Sequence, residues 1–281
     1  MMPPTPAPNG RAPVVVKLGG DVLEGATLAL VAADLRQLAA STEWGGRIVV
    51  VHGGGPQATA MSERLGLQPR LVGGRRITDG PTLDVMKMVV AGRMNVDLVA
   101  ALRAAAVPAV GLAGSSGIVR ARRRPPRVVA GGGDAPIDFG LVGDVDGFDL
   151  ALLALLLAAG YWPVLACLGL ADNGLVLNIN ADVVSGQLAV ALGAAALIAV
   201  TAVGGVRRDR NDPTTRIPRM TVFEARTAIQ TGVVQGGMIP KLEEAFAPLA
   251  SGVAAVHIVA PGEIASALLS PATVGTLLAP G

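Results

Sequence analysis

Short apolar runs alternate with longer amphipathic segments along most of this chain. Runs of about five residues rich in valine, such as Val14–Leu18, predict buried strands. Longer segments with apolar residues every three or four positions predict helices, and Gly25–Ala40 is an example. Strands separated by helices are typical of a mainly parallel sheet covered on both faces. The pattern therefore predicts an α/β fold.

The whole chain divides into such elements. The other predicted strands are Arg47–Val51, Val107–Gly111, Val164–Leu168, Gly174–Asn178, Ala196–Thr201 and Ala255–Val259. A helix follows the HGGGPQ segment, and the further predicted helices are Thr82–Ala105, Asp149–Ala159, Ala181–Leu192, Val222–Thr231 and Met238–Ala250.

Three segments predict the domain organisation. The proline-rich residues 1–13 are expected to be a disordered tail. A turn at Leu170–Gly174 is the best boundary between an amino-terminal lobe, 14–172, and a carboxyl-terminal lobe, 173–281. Ile118–Val129 is expected to form a hairpin, with the basic segment Ala121–Arg127 as its solvated tip.

Composition excludes several classes of function. The chain has 281 residues, 51% of them hydrophobic, and a net charge of only +2, so we expect neither nucleic-acid nor membrane binding. Its only cysteine, Cys167, rules out an internal disulfide and fits a cytoplasmic protein. Gly160 and Pro163 interrupt the longest apolar run, which is therefore expected to be core. His52 and His257 are interpreted as structural, and nothing suggests a zinc site.

Lysine is rare in this chain, which has 20 arginines but only Lys17, Lys87 and Lys241. Lys17 lies at the end of a predicted strand, directly before Gly19 and Gly20. A second glycine turn, Gly53–Gly55, follows the next strand. Two such turns at adjacent strand ends favour a phosphate site, because glycine lets backbone amides approach an anion closely.

Three further motifs carry candidate chemistry. In GGRRIT, an arginine pair is suited to binding a carboxylate. In LNINAD, Asn178 and Asn180 alternate toward one side, and Asp182 opens a helix. In GGMIPKL, glycines again precede a lone lysine, Lys241. Lys87 lies in mid-helix and is assigned to ordinary surface.

Taken in order, VVVKLGG, VVVHGGGPQ, GGRRIT, LNINAD and GGMIPKL resemble the amino acid kinase family, over Val14 to about Leu268. Within the family, the motifs are most similar to the branch that acts on N-acetylglutamate. The resemblance implies a three-layer αβα sandwich of two lobes, with the acyl amino acid in the first and ATP in the second. It also implies ATP-dependent phosphorylation of the side-chain carboxylate of N-acetyl-L-glutamate, in arginine biosynthesis.

The resemblance assigns roles residue by residue. Lys17 and Lys241 would contact the transferred group, and Asp182 would hold both lysines. The acyl amino acid would be bound by Gly54, Gly55, Arg76 and Asn178. Phosphates and ATP would be bound by Gly19, Gly20, Gly53, Thr201, Val203, Gly204, Gly205 and Gly237. Mg²⁺ would be held by the ATP phosphates and not by a protein cage.

The motifs leave alternatives open. Ala202 and Ser116 stand where the family commonly has aspartates, so a non-catalytic amino-acid-binding relative is a second hypothesis. N-succinylglutamate, N-acetylaminoadipate or a carrier-linked substrate could replace N-acetylglutamate, with the basic segment Ala121–Arg127 recognising an acidic carrier. Prolines near the start oppose the amino-terminal helix of arginine-inhibited hexamers, so we expect a homodimer without strong arginine inhibition.

Overall fold

A computed structural model describes residues 12–45, 47–129, 133–209, 211–236 and 238–280. Residues 1–11 of the predicted tail and the candidate phosphate ligand Gly237 lie outside this part. The strands are β1 (Val14–Leu18), β2 (Ile48–His52), β3 (Leu71–Val72), β4 (Arg75–Arg76), β5 (Ala109–Ala113), β6 (Val119–Arg123), β7 (Gly143–Phe148), β8 (Trp162–Ala166), β9 (Leu168–Leu170), β10 (Val176–Asn178), β11 (Ala196–Val200), β12 (Arg219–Thr221), β13 (Val256–Val259) and β14 (Thr276–Ala279).

The helices agree closely with the periodicity of the sequence. They are α1 (Gly25–Ala39), α2 (Gly55–Arg64), α3 (Gly80–Met86), α4 (Asn95–Ala104), α5 (Leu150–Ala158), α6 (Ala181–Ala191), α7 (Val222–Gln230), α8 (Met238–Ala250) and α9 (Ile264–Leu269). A π-helical segment, Lys87–Met94, joins α3 to α4. The predicted helix Thr82–Ala105 therefore exists, with one region of wider winding.

The main sheet has eight strands in the order β12-β14-β13-β11-β1-β2-β8-β5. All neighbours are parallel except β13 and β14. All five residues of β1 are buried, since this strand lies between β11 and β2. Helix α1 packs with α4 and α9, whereas α6 packs with α8, and these groups form the outer layers. The fold is the expected αβα sandwich. Among the described helices, none is long and apolar enough to cross a membrane.

The prediction that Ile118–Val129 forms a hairpin is wrong. Strand β6 instead pairs antiparallel with β7, in a second sheet ordered β10-β9-β6-β7. Pro125 and Pro126 follow this strand and lack the N–H that a tight ladder requires. Pairing resumes only at Arg127, which bridges Ile137. The basic segment Ala121–Arg127 is thus part of β6 and of the chain that follows it, which pairs with β7 and then with Ile137.

Other differences are smaller. Strand β8 begins at Trp162, two residues before the predicted start, and includes Pro163. The short strands β3, β4, β9, β12 and β14 were not predicted, because two to four residues carry too little alternation to recognise.

The parallel strands bring three turns together at their carboxyl ends, where ligands bind in sheets of this type. The Gly53 amide after β2 donates to the Leu18 carbonyl at 3.1 Å. The Gly19 amide after β1 donates to the Val200 carbonyl at 3.4 Å. The turns following β1, β2 and β11 therefore form one continuous edge, and the candidate site lies there.

Candidate active site

The first two glycine turns pack against each other. A Cβ atom on Gly20 would lie 3.2 Å from the Gly54 Cα and 2.9 Å from the Pro56 Cδ, so a side chain would force the turns apart. A Cβ on Gly55, by contrast, would meet no atom within 4 Å. Gly55 also begins α2, whose first amides carry partial positive charge. The turns therefore present backbone donors to an open space that suits an anion.

Lys17 lies at this edge on β1 and is only 7% exposed. Its Nζ is 2.5 Å from the Asp182 Oδ1, at the start of α6. Burial is the largest single effect and disfavours the ammonium. The attraction and hydrogen bond of Asp182, together with the attraction of Glu244 and Asp21, outweigh burial, so the pKa of Lys17 lies above its ordinary value. Lys17 is thus a fixed, permanently charged group.

Lys241 approaches from α8 and shares a cavity of about 20 Å³ with Lys17, Asp182 and Thr201. Burial, and then repulsion by Lys17, lower the pKa of Lys241. Within the described part of the chain, Lys241 forms no ion pair within 4.0 Å, so Asp182 is paired with Lys17 alone. The two ammonium groups face one cavity from distant parts of the chain.

A larger cavity of about 670 Å³ is lined by Lys17, by the glycine turns and by four arginines, which we call the arginine wall: Arg75, Arg76, Arg124 and Arg127. On this wall, the Arg76 Nη2 donates to the Thr59 Oγ1 at 2.6 Å and to the Gly55 carbonyl at 3.1 Å. Among the residues that the structure describes, the buried Arg76 Nη1 has no hydrogen-bond partner, and burial lowers the pKa of this guanidinium. An unpaired buried donor is costly, which points to an anionic ligand at Arg76.

Asn178 also lines this cavity, at the end of β10, and its Nδ2 donates to the Thr78 Oγ1 at 3.1 Å. This bond leaves the amide oxygen of Asn178 at the wall as an acceptor. Asn180 lines the same cavity and caps α6 by accepting from the Asp182 amide at 3.0 Å. Both asparagines therefore face one space, as their alternation predicts.

The basic segment is not the tip of a hairpin, so that part of the expectation is wrong, although most of its residues are exposed as expected. Arg124 is buried, and its Nε donates to the Asp144 Oδ1 at 2.8 Å. Arg124 and Arg127 both line the large cavity. Burial and the nearby charge of Arg124 lower the pKa of Arg127. Antiparallel pairing of β6 with β7 leads directly into this segment and places it beside the large cavity.

A third cavity of about 370 Å³ is lined by residues of the loop after β11, by residues 232–235 and by Met238 at the start of α8. Its lining combines apolar residues and glycines with charged and polar ones: Val203, Gly205, Val206, Arg207, Arg208, Asp209, Gly232, Val233, Val234, Gln235 and Met238. Gly204 has φ +66°, and a Cβ there would lie 2.7 Å from the Ala260 Cβ. Its amide donates to the Thr201 Oγ1 at 3.4 Å, which closes the turn.

Two carboxyl groups of the site were not recognised in the sequence. Asp21 follows KLGG, and its Oδ2 accepts from the Ala202 amide at 3.3 Å. A carboxylate therefore reaches the turn in which Ala202 replaces the aspartate of the family pattern. Glu244 lines the large cavity beside Asp182. Its position three residues after Lys241, on the same helix face, was the available signal.

The histidines and the cysteine have structural surroundings. The His52 Nε2 is 2.9 Å from the Asn95 Nδ2, and burial lowers the pKa of His52 to about 4. Burial also lowers the pKa of His257 to about 4. Cys167 borders the large cavity, but burial raises its pKa to about 12, which keeps it a thiol. Across the described residues, no cluster of three potential metal ligands occurs.

An ion-paired lysine beside two glycine turns, a second lysine on the same small cavity and a larger cavity lined by arginines together have the chemistry of a phosphotransferase. In phosphoryl transfer the protein mainly positions two anions and neutralises the charge of the group in motion. The chain belongs to the amino acid kinase family, whose model matches residues 12–260.

Several known proteins are similar over nearly the full chain. The acetylglutamate kinase of Sorangium cellulosum (strain So ce56) is 53% identical over 279 residues, 98% of this chain and 97% of that protein. The acetylglutamate kinase of Anaeromyxobacter dehalogenans (strain 2CP-1 / ATCC BAA-258) is 54% identical over 269 residues, 94% of this chain and 98% of that protein.

Solved structures share the fold. N-acetylglutamate synthase from Neisseria gonorrhoeae, complexed with coenzyme A and N-acetyl-glutamate, aligns with a TM-score of 0.78 at 26% identity. The alignment covers 96% of this chain but only 60% of the synthase chain. Carbamate kinase from Giardia lamblia, bound to AMP-PNP, aligns with a TM-score of 0.69 at 15% identity, over 97% of this chain and 99% of that chain.

Proposed function

We propose that this protein transfers the γ-phosphoryl group of ATP to the side-chain carboxylate of N-acetyl-L-glutamate, which yields an acyl phosphate for arginine biosynthesis. The names of the relatives at 53% and 54% identity support this substrate. The observation that carries the proposal is the shared cavity of Lys17 and Lys241, because Lys17 also lines the large cavity that contains the arginine wall.

The proposed transfer is a direct in-line displacement. The carboxylate nucleophile is already ionised at neutral pH, so no general base is needed. Lys17 neutralises charge on the transferred group from the acceptor side, and Lys241 does so from the nucleotide side. Asp182 holds the Lys17 ammonium in place through the ion pair at 2.5 Å. Amides of the turns after β1 and β2, which include Gly19, Gly20 and Gly53, donate to phosphate oxygens.

The acyl amino acid occupies the 670 Å³ cavity in this proposal. Arg76 binds its α-carboxylate through the unpaired Nη1, because a guanidinium holds a carboxylate in a planar, two-bond arrangement. Asn178 contacts the acylamide, and Gly54 and Gly55 leave room for the reacting carboxylate. Arg124 and Arg127 add positive potential around both carboxylates.

ATP occupies the half that contains β11 and α8, with Val203, Gly204 and Gly205 beside it. Magnesium, held through phosphate oxygens, would supply further charge neutralisation. The same proposal assigns binding of the acyl amino acid to residues 14–172 and binding of ATP to residues 173–281. It also includes Gly237 among the residues that bind phosphate or ATP. The cytoplasmic homodimer stays a prediction.

The proposal is tested by following ADP release from Mg-ATP with a panel of purified acceptors. We expect release that depends on N-acetyl-L-glutamate and exceeds the release with N-succinylglutamate, N-acetylaminoadipate and free glutamate. Hydroxylamine should trap the product as a hydroxamate, because it is an acyl phosphate. ADP release that no acyl amino acid stimulates would reject the proposal. Calorimetric binding of N-acetylglutamate without turnover would instead favour the sensor hypothesis, which the missing aspartate at Ala202 motivates.

A further inference from the structure

Glu244 lies where the cavities of the molecule meet. Its side chain lines the large cavity, the small cavity of the two lysines, and an apolar groove of about 520 Å³ between β7, α6 and α8. It projects from α8 one helical turn after Lys241. The carboxyl is half-buried, and the Asn180 Nδ2 donates to its Oε1 at 3.4 Å. The roles proposed above make no use of this group.

Glu244 and Asp182 line the same three cavities, and Asn180 bonds to both residues, accepting from the Asp182 amide at 3.0 Å and donating to the Glu244 Oε1 at 3.4 Å. At this proximity, a hydrogen bond between the two carboxyl groups is one cause of the raised pKa of Glu244. Two carboxylates cannot hydrogen-bond to each other unless one of them carries a proton. Asp182 forms an ion pair with the Lys17 ammonium at 2.5 Å, whereas Glu244 forms no ion pair within 4.0 Å among the described residues. The proton of the pair therefore resides on Glu244.

The charged groups around Glu244 come from four elements. Lys17 on β1 and Arg75 on β4 favour an ionised Glu244, whereas Asp182 on α6 opposes it. Lys241 on α8 is within electrostatic range as well. Burial and the contact with Asp182 dominate this balance.

We infer that Glu244 is a positioning residue for the transfer, which donates a hydrogen bond to Asp182 as a neutral acid. This bond orients Asp182 on Lys17 and keeps a second negative charge away from the path of the phosphoryl group. The inference rests on the proposed function for its effect on turnover, but the shared proton is a property of the folded chain alone.

The shared proton makes turnover depend on pH. Burial, together with the nearby Asp182 charge, raises the pKa of Glu244 to about 8. Above that pH, an ionised Glu244 repels the incoming anions and competes with them for the lysines. At one pH unit above the pKa only about a tenth of a group remains protonated, so kcat should fall about tenfold between pH 7 and pH 9.

Stability responds in a defined direction. The pKa of Glu244 rises from 4.5 to about 8 on folding, so the folded chain binds this proton more tightly than the unfolded chain. The resulting stabilisation is complete below pH 4.5 and is lost as the pH rises to about 8. This effect needs no substrate.

The test compares the wild type with Glu244→Gln and Glu243→Gln. Glutamine at 244 keeps a donor for Asp182 and cannot ionise, while Glu243 is exposed on the same helix and provides an equal change of charge. We expect the wild type and Glu243→Gln to lose kcat above pH 8, and Glu244→Gln to stay within about twofold between pH 7 and pH 9. An equal alkaline loss in all three proteins would overturn the positioning role.

Thermal unfolding without ligands separates this inference from the proposed function. From pH 5 to pH 8, the melting temperature of the wild type should fall relative to that of Glu244→Gln, and Glu243→Gln should follow the wild type. This result would support the shared proton even if no acyl amino acid were phosphorylated. Parallel melting curves for the wild type and Glu244→Gln across this range would refute it.

Discussion

The cavity of about 670 Å³ beside Lys17 and the cavity of about 370 Å³ in the half of β11 and α8 have linings of different chemistry. The 670 Å³ cavity has charged side chains fixed by partners within the protein, such as Arg124 on Asp144 and Arg76 on Thr59. The 370 Å³ cavity combines exposed apolar side chains such as Val203 and Val233 with charged loop residues such as Arg208. Fixed guanidinium groups select carboxylates by geometry, whereas flat apolar surfaces accommodate a nucleotide base with little directional demand.

Lys17 and Lys241 also differ in how they are held. Lys17 is almost buried and paired with Asp182, while Lys241 is half-buried and unpaired among the described residues. A paired ammonium is preorganised, and an unpaired one is free to follow the phosphoryl group. The difference suggests a stationary cation on the acceptor side and an adaptable cation on the nucleotide side.

Removing either ammonium should have the largest effect. We expect Lys17→Ala and Lys241→Ala each to lower kcat at least about 10²–10³-fold, the usual loss for a preorganised charge. Lys241→Ala is the cleaner variant, because Lys17→Ala leaves Asp182 without its ion partner. The control is Lys87→Ala, which removes an exposed surface pair with Asp84. Steady-state kinetics, with melting curves for each variant, measure the outcome; near-wild-type turnover for Lys241→Ala would contradict the assignment.

Arg76→Lys should weaken binding of the acyl amino acid without affecting binding of ATP. A lysine keeps the charge but loses the planar pair of donors, at a cost of about 1.5–3 kcal/mol for hydrogen bonds to a charged group. The KM for the acyl amino acid should therefore rise about 10- to 100-fold, with the KM for ATP unchanged. The matched control is Arg122→Lys, in an exposed pair with Asp146. A parallel rise in both KM values would place Arg76 elsewhere in the mechanism.

Alanine substitutions at Gly20 and Gly55 should distinguish a glycine required for packing from a glycine that leaves room for substrate. Gly20→Ala should lower the free energy of unfolding by about 1–3 kcal/mol, since the new methyl group meets Pro56 and Gly54. Gly55→Ala adds its methyl group to open space in the large cavity, so stability should hold while kcat/KM for the acyl amino acid falls about tenfold. Denaturant titration and kinetics distinguish the two. If Gly55→Ala had wild-type kinetics, substrate would not approach this turn.

Val233→Asp should give the smallest effect, on the nucleotide side. An added carboxylate near ATP costs about 0.2–1 kcal/mol when it is solvent-exposed, so the KM for ATP should rise up to about fivefold. The KM for the acyl amino acid should not change. Leu155→Asp on α5, which is exposed and lines neither cavity, is the control. An effect on the acyl KM alone would reverse the assignment of the cavities.

Local pattern was sufficient for most of the framework. The strand Val14–Leu18 and the helix Met238–Ala250 have the bounds that periodicity predicts, because each is long enough to show a clear apolar face or run. The glycine turns and the scarce lysines were equally visible, since both are matters of residue type. In Ile118–Val129 this approach failed, because a strand partner cannot be identified from composition when prolines interrupt the ladder.

The contacts between charged side chains and their partners could not be predicted from the sequence. Asp21 reaches Ala202, Arg124 reaches Asp144 and Glu244 reaches Asp182 across long stretches of chain. Residue types along the chain thus settled which groups can bind phosphate and carboxylate. Packing settled which of them meet, because burial and the distance between charges exist only after strands and helices from both halves have come together.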